Sequence, residues 1–298
     1  MPSRSGDCTS GSFALSTIGR YARPTTLADA LALLSRGEVR ILAGGTDFYP
    51  SLAEDIPCEP VVDISALKEL SGVACSADQI RIGGLTTWTD LIRAPLPPCF
   101  AALKAAAREL GSVQIQNRGT IAGNLCNASP AADGVPPLLA LDAEVELTSQ
   151  MGTRHIPLAE FIVGNRKTQR RADELLTAVL VPRRVENAGS AFLKLGARHY
   201  LVISIVMVGA VVLVDDAGHV ADARVAVGAC SAVAQRLRGL ESELVGASVR
   251  DGLGARVRRE HLRLLTPISD VRATADYRMD AALTLVQRTL NLCAGSAE

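Results

Sequence analysis

The segment Arg118-Gly119-Thr120-Ile121-Ala122-Gly123-Asn124 sets two glycines among hydroxyl, amide and guanidinium side chains. Such a loop offers closely spaced backbone N–H groups with little side-chain bulk, which is what a buried phosphate requires. Asn117, Arg118, Thr120 and Asn124 add side-chain donors beside Gly119 and Gly123, where a plain turn needs only one or two such residues. A second glycine loop, Ala43-Gly44-Gly45-Thr46-Asp47, follows the strand-like stretch 39–42. A lone glycine pair more often makes a tight turn. Together the two loops favour one diphosphate gripped from two sides. Asp133, after Pro130-Ala131-Ala132, is either a helix cap for 135–141 or an acceptor for a ribose or adenine, and its spacing does not choose between them.

Other chemistries are excluded by what the chain lacks. Gly252-Leu253-Gly254 has Val257 where a dinucleotide fingerprint needs its third glycine, and no strand precedes it. There is no phosphate loop ending in Gly-Lys, no H-E-x-x-H and no G-x-S-x-G, and Ser65-Ala66-Leu67-Lys68 lacks the companion motifs of an acyl-enzyme. The histidines at 155, 199, 219 and 261 have no ligand spacing. Cysteines at 8, 58, 75, 99, 126, 230 and 293 are odd in number and hold no C-x-x-C pair. They read as free thiols in a reducing cytosol and not as a disulfide framework or a zinc or iron–sulfur ligand set, so no metal site is expected and the location is cytoplasmic. Lys plus Arg and Asp plus Glu both number 31, which leaves no positive excess for nucleic acid or an anionic membrane. The longest uncharged run, 200–214, is too short for a membrane span. Residues 1–12 are polar and read as a flexible tail. Arg166, Lys167, Arg170 and Arg171 form a basic cluster that reads as a solvated face before a docking surface.

The elements that must position these loops follow from patterning. At 298 residues the chain points to two or more packed subdomains. Thr26 with Asp29 opens a helix over 28–34, strand 39–43 leads into the first glycine loop, and 61–64 is a short β segment. Two β runs between 70 and 82 flank the turn Ser76-Ala77-Asp78. Thr87 to Asp90 opens another helix, and a third, 100–110, runs into the central stretch. Strands are expected at 143–147, 154–161 and 175–181, with a boundary near 183–189. In the second half 191–195 is a strand, and Gly209 divides 200–214 into helix before and strand after. Asp215 to Gly218 turns into strand 220–227, and helices are expected over 232–245 and 281–292. The fold class is α+β.

The segments AGGTD at 43–47, QIQNRGTIAGN at 114–124, SPAAD at 129–133, PLLALDAEVEL at 137–147 and FLKLGAR at 192–198 resemble the FAD-binding, medium subunit of the molybdenum hydroxylase family, the xanthine and carbon monoxide dehydrogenase type. The resemblance covers about 18–292. It implies a two-subdomain FAD-binding fold of the vanillyl-alcohol-oxidase-like type over 13–184, split near 59, followed by a C-terminal domain over 188–292 with a small antiparallel sheet and helices packed on it. It implies FAD on this chain, bound at Ala43, Gly44, Gly45, Thr46, Asp47, Asn117, Arg118, Thr120, Ile121, Ala122, Gly123 and Asn124, with Asp133 near the adenosine end. Lys194 is implied near the flavin ring, where its charge would stabilise a reduced, anionic flavin; the bland alternative is a strand lysine reaching solvent. Ala122 stands where many relatives have glycine, and Leu110 where some have a ring-stacking aromatic. The implied partners are a molybdopterin-binding large subunit and a [2Fe–2S] small subunit in a dimer of heterotrimers, with electrons passing through FAD to an external acceptor such as NAD or O2. The alternative is a stand-alone FAD-dependent oxidase or reductase of the same flavin fold.

Overall fold

A computed structural model describes residues 21–52, 59–198 and 201–295. The tail expected over 1–12, together with Cys8, Cys58 and His199, lies outside the described residues. The first unit is a parallel three-stranded sheet. It comprises β1 (Tyr21–Ala22), α1 (Leu27–Leu34), β2 (Arg40–Leu42), α2 (Phe48–Leu52) and β3 (Val61–Asp63), with strand order β1-β3-β2. Helix α1 starts as its sequence dictates: the Asp29 N–H donates to the Thr26 hydroxyl, satisfying an otherwise orphaned donor. The central strand β3 ends at Asp63, where the chain leaves this sheet.

The second unit contains β4 (Val73–Cys75), β5 (Gln79–Gly83) and α3 (Trp88–Arg93), then α4 (Ala101–Glu109), α5 (Val113–Gln116), α6 (Ile121–Asn127) and α7 (Val135–Ala140). It is completed by β6 (Glu144–Ser149), β7 (Gly152–Pro157), α8 (Leu158–Phe161), β8 (Ile162–Gly164), β9 (Lys167–Thr168) and β10 (Leu175–Pro182). Five strands form an antiparallel sheet in the order β4-β5-β10-β6-β7, with the apolar β10 at its centre. The Thr87–Asp90 capping box is closed in both directions. Residues 158–161, expected as strand, form α8. Pro157 contributes no N–H to continue a ladder, and Leu158 and Phe161, three apart, bury on one helical face.

The third unit is a four-stranded antiparallel sheet, β11 (Gly189–Leu195), β12 (Val206–Val214), β13 (Val220–Gly228) and β14 (Gln235–Arg236), with α9 (Arg238–Leu244) and α10 (Ala275–Gly295). The expected helix over 232–245 therefore begins only at Arg238. The preceding residues pair with β13 and bury the Arg236 guanidinium against Glu241 and Asp142. Gly209 does not divide helix from strand either, since β12 runs through it. Val206, Val208, Ala210 and Val212 pack into the C-terminal core, while Met207 and Val211 face the α4 and central cores of the N-terminal half. A strand buried on both faces reads as a continuous apolar run, which is why periodicity did not decide between helix and strand here. The glycine is set by α7, because a Cβ there would stand 2.7 Å from Pro137 N and 2.9 Å from Pro136 C.

Gly209→Ala should therefore force α7 off the sheet and cost about 1–3 kcal/mol. A thermal unfolding midpoint equal to that of the unmodified chain would refute this packing.

Candidate functional site

The two glycine loops meet. Gly44 lies so close to the Arg118 carbonyl that any Cβ there would overlap it, so the loops pack backbone against backbone. Gly45 sits at φ +79°, a left-handed conformation that favours glycine. Beside this junction opens a cleft of about 730 Å³, lined by Ala43 to Phe48 of the first loop and by Gly119, Thr120, Ala122, Gly123 and Asn124 of the second. Leu85, Trp88, Ile115, Leu175 and Leu176 give it an apolar wall.

The loops contribute differently. Among the described residues, the N–H groups of Gly44, Gly45, Thr46 and Asp47 have no hydrogen-bond partner, so the first loop presents a row of free donors. The second loop was expected to do the same and does not. Its N–H groups are used internally, Ile121 to Thr86 O at 3.0 Å, Ala122 to Gly84 O at 3.1 Å, Asn124 to Thr120 O at 3.1 Å and Gly123 to Thr120 Oγ1 at 3.1 Å. The cause is local: Thr120 is the N-cap of α6, and the first turn of that helix is tied to the turn at Gly84 to Thr86. What this loop offers the cleft is small side chains and the Asn124 amide, whose Oδ1 is buried without a partner. Ala122 fits because it lies against Gly84, where no side chain competes.

Of the other expected residues, Asn117 lies outside the cleft lining and accepts a hydrogen bond from Thr89 Oγ1 at 2.6 Å. Arg118 contributes its backbone to the loop junction, and Ile121 is a core residue. Asp133 caps nothing: Gly134 is the N-cap position of α7. Its carboxylate instead accepts from Lys194 Nζ at 3.0 Å and from the Ser204 hydroxyl at 3.1 Å, all three side chains being buried or nearly so. Burial pushes the Asp133 carboxyl above the usual range, and the Lys194 ammonium and Ser204 hydroxyl oppose that shift. Asp133 and Lys194 therefore cannot serve opposite ends of an extended dinucleotide. They form one unit that lies off the cleft lining, with Lys194 Nζ also 3.5 Å from the Glu109 carbonyl, next to the lining residues Leu110 and Gly111.

Ser204 carried no signal in the sequence. The cleft residues Arg166, Thr168 and Arg170 did, in the basic cluster, but nothing local showed that a hairpin turns two of its arginines toward the glycine loops. Cys126 also lines the cleft, its thiol pushed up to about 11 by burial and hence neutral at physiological pH. Among the described residues no three His, Cys, Asp or Glu side chains are grouped to share a metal ion, and no helix is long and apolar enough to cross a membrane.

Comparison with known proteins decides the family of the chain. Residues 13–184 match the FAD binding domain in molybdopterin dehydrogenase, and residues 191–292 match the CO dehydrogenase flavoprotein C-terminal domain. The chain belongs to this family. It is an FAD-binding oxidoreductase subunit of the molybdenum hydroxylase type, as its motifs implied. It is 38% identical over 236 residues to the nicotinate dehydrogenase FAD-subunit of Eubacterium barkeri, covering 76% of this chain and 79% of that one. It is 32% identical over 282 residues to the xanthine dehydrogenase FAD-binding subunit of Escherichia coli O157:H7, covering 93% and 96%. Its fold superposes on a chain of quinoline 2-oxidoreductase from Pseudomonas putida 86 with a TM-score of 0.85 at 25% identity, covering 93% and 97%. A chain of the carbon monoxide dehydrogenase of Hydrogenophaga pseudoflava gives 0.83 at 26%, covering 92% and 96%. The α+β class and the flavin-binding architecture follow from these matches.

Removing Lys194 should strand the Asp133 carboxylate in a buried site. Lys194→Met is expected to cost about 3–5 kcal/mol, and combining it with Asp133→Asn should cost clearly less than the two changes summed. Additive losses in a double-mutant cycle of unfolding free energies would show that the pair is not coupled.

Proposed function

We propose that this chain is the electron-transfer subunit of a molybdenum hydroxylase complex, taking electrons from [2Fe–2S] clusters on a small partner subunit and passing them, through FAD, to an external acceptor such as NAD or O2. Substrate hydroxylation then belongs to a molybdopterin-binding large subunit, in a dimer of heterotrimers, and a reducing, cytosolic setting suits the free cysteines at 75, 99, 126, 230 and 293. Residues 13–184 form the FAD-binding domain and 188–292 the C-terminal flavoprotein domain.

The observation that carries the reading is the row of unpartnered N–H groups from Gly44 to Asp47, facing a cleft whose other side has only small residues at Ala122 and Gly123. A diphosphate needs such donors at close range and no side chain in its way. Thr46 and Thr120 add hydroxyls, and Asn124 an amide oxygen without a partner, so the lining residues fit the cofactor's polar middle. Asn117 and Ile121 support the site from behind by tying the second loop to Thr89 and Thr86, and the Arg118 backbone packs it against the first loop. The apolar wall at Leu110, Ile115 and Leu176 excludes water from the aromatic part of the cofactor. Bound FAD would supply one- and two-electron redox chemistry, and the protein supplies geometry and electrostatics.

Lys194 and Asp133 belong at the ring end in this reading, because Lys194 reaches Glu109 O beside Leu110 and Gly111. The ammonium is held in place by a carboxylate that is itself fixed by Ser204. Such a fixed positive charge favours a ring that has gained negative charge.

Purified chain supplied with FAD should show a bound flavin absorption spectrum, and absence of binding would sink the reading. Gly123→Val should lose most of the bound flavin, because its Cβ would stand 2.9 Å from Thr120 Oγ1, the hydroxyl that caps α6, and its branches would enter the cleft, while a retained circular dichroism spectrum separates this from unfolding. Unchanged flavin content in that variant would remove the second loop from the site.

A further inference from the structure

The proposed diphosphate site accounts for the two glycine loops but not for the third wall of the cleft. That wall is the β8–β9 hairpin and the turn after it, which bring Arg166, Thr168 and Arg170 to the lining. The hairpin is locked to the far end of α6. Arg166, at φ +55°, donates its backbone N–H to Ala128 O at 2.9 Å and one guanidinium N–H to Asn127 Oδ1. Arg170 is pinned by Nη1, which donates to the carbonyls of Arg171 at 2.9 Å and Glu174 at 2.7 Å. The Glu174 carboxylate in turn holds the Arg171 N–H and the Arg154 guanidinium. Among the described residues the remaining guanidinium N–H groups of both arginines have no partner.

Among the described residues, the cleft lining carries Arg40, Arg166 and Arg170 against a single acid, Asp47. Arg40 is already engaged, stacked over the Phe48 ring at 4.8 Å and bonded to Ser51 Oγ at 3.1 Å. Among the described residues, Arg166 and Arg170 are left as two positioned cations whose open donors meet no carboxylate. At neutral pH the negative charge of FAD resides on its diphosphate, while the oxidised ring is neutral, and the first loop meets that charge with uncharged donors only. A guanidinium forks onto phosphate oxygens and stacks on planar rings, so it suits both the diphosphate and the adenine attached to it.

We propose that Arg166 and Arg170 recognise the ADP half of FAD, forming a cationic wall that makes this cleft select the dinucleotide over flavin without the adenylate. The inference rests on the FAD reading above. Each arginine adds a charge-assisted contact, and the pinning by Asn127 Oδ1 and by the 171 and 174 carbonyls means little side-chain freedom is lost on binding.

The test is calorimetric titration of the full chain, stripped of flavin, with FAD, ADP and riboflavin. Arg166→Gln and Arg170→Gln should each weaken FAD and ADP roughly ten- to hundredfold, the range of a charge-assisted hydrogen bond, and leave riboflavin unchanged. Lys167→Gln, exposed and off the lining, should change none of the three. Raising salt should weaken FAD binding to the unmodified chain more steeply than to the double variant. Unchanged FAD and ADP affinities in both arginine variants, or an equal loss for riboflavin, would overturn the assignment while leaving the FAD reading in place. No FAD binding to the unmodified chain would overturn both. If a glutamine variant unfolds, the Arg166→Lys and Arg170→Lys pair decides: retained salt dependence supports the wall, and its loss with FAD affinity intact refutes it.

Discussion

The contact between Gly44 and the Arg118 carbonyl governs the geometry of the cleft. Two loops from different sheets can lie backbone against backbone only if one of them lacks a Cβ at the crossing point. Each loop is in turn fixed by its own unit, the first by β2 and the second by the hydrogen bonds of Ile121 and Ala122 to the turn at Gly84 to Thr86. Because the second loop spends its N–H groups on that attachment, the first is left to present its donors. The division of labour between the loops thus follows from how they are tethered.

The second constraint is the union of the two halves. The C-terminal sheet is covered on one face by α10 and α9 and on the other by α4 and α7, so it has no face of its own to expose. Helix α7, Val-Pro-Pro-Leu-Leu-Ala, is buried throughout and approaches β12 at Gly209. Polar groups complete the seam: Ser190 accepts from Ala102 N and donates to Pro98 O, and Ala229 N donates to Pro130 O. Asp142 receives Arg236 at 2.6 Å and Arg224 at 3.4 Å from the other half. Charges buried at such a seam are costly unless paired, so the ion pairs favour one docking geometry.

That fixed seam is what places Asp133, from the loop before α7, against Lys194 of β11 and Ser204 before β12. The three residues come from both halves, and their contact exists only once the halves are joined. A lysine on a strand would ordinarily reach water; here its side chain is buried because a carboxylate meets it inside.

Much of this was legible in the residues alone. The N-cap at Thr26, the capping box at Thr87, the turn at Asp215 to Gly218 and the central strand β10 follow local rules, because a cap or a turn is satisfied within a few residues. The order of weak motifs, AGGTD, TIAGN, SPAAD and FLKLGAR, determined the family, and the glycine loops marked the cleft. Tertiary structure decided the rest. Val206–Val214 is a strand because two layers bury both its faces, which erases the alternation that would have announced it. Gln235–Arg236 left the expected helix because they pair as a strand with β13 while the Arg236 guanidinium is buried against Glu241 and Asp142. Which loop donates, where Lys194 points, and that Arg166 and Arg170 face the glycine loops all depend on contacts between residues tens of positions apart. No local spacing encodes such contacts, since they come from the packing of separate sheets around one cleft.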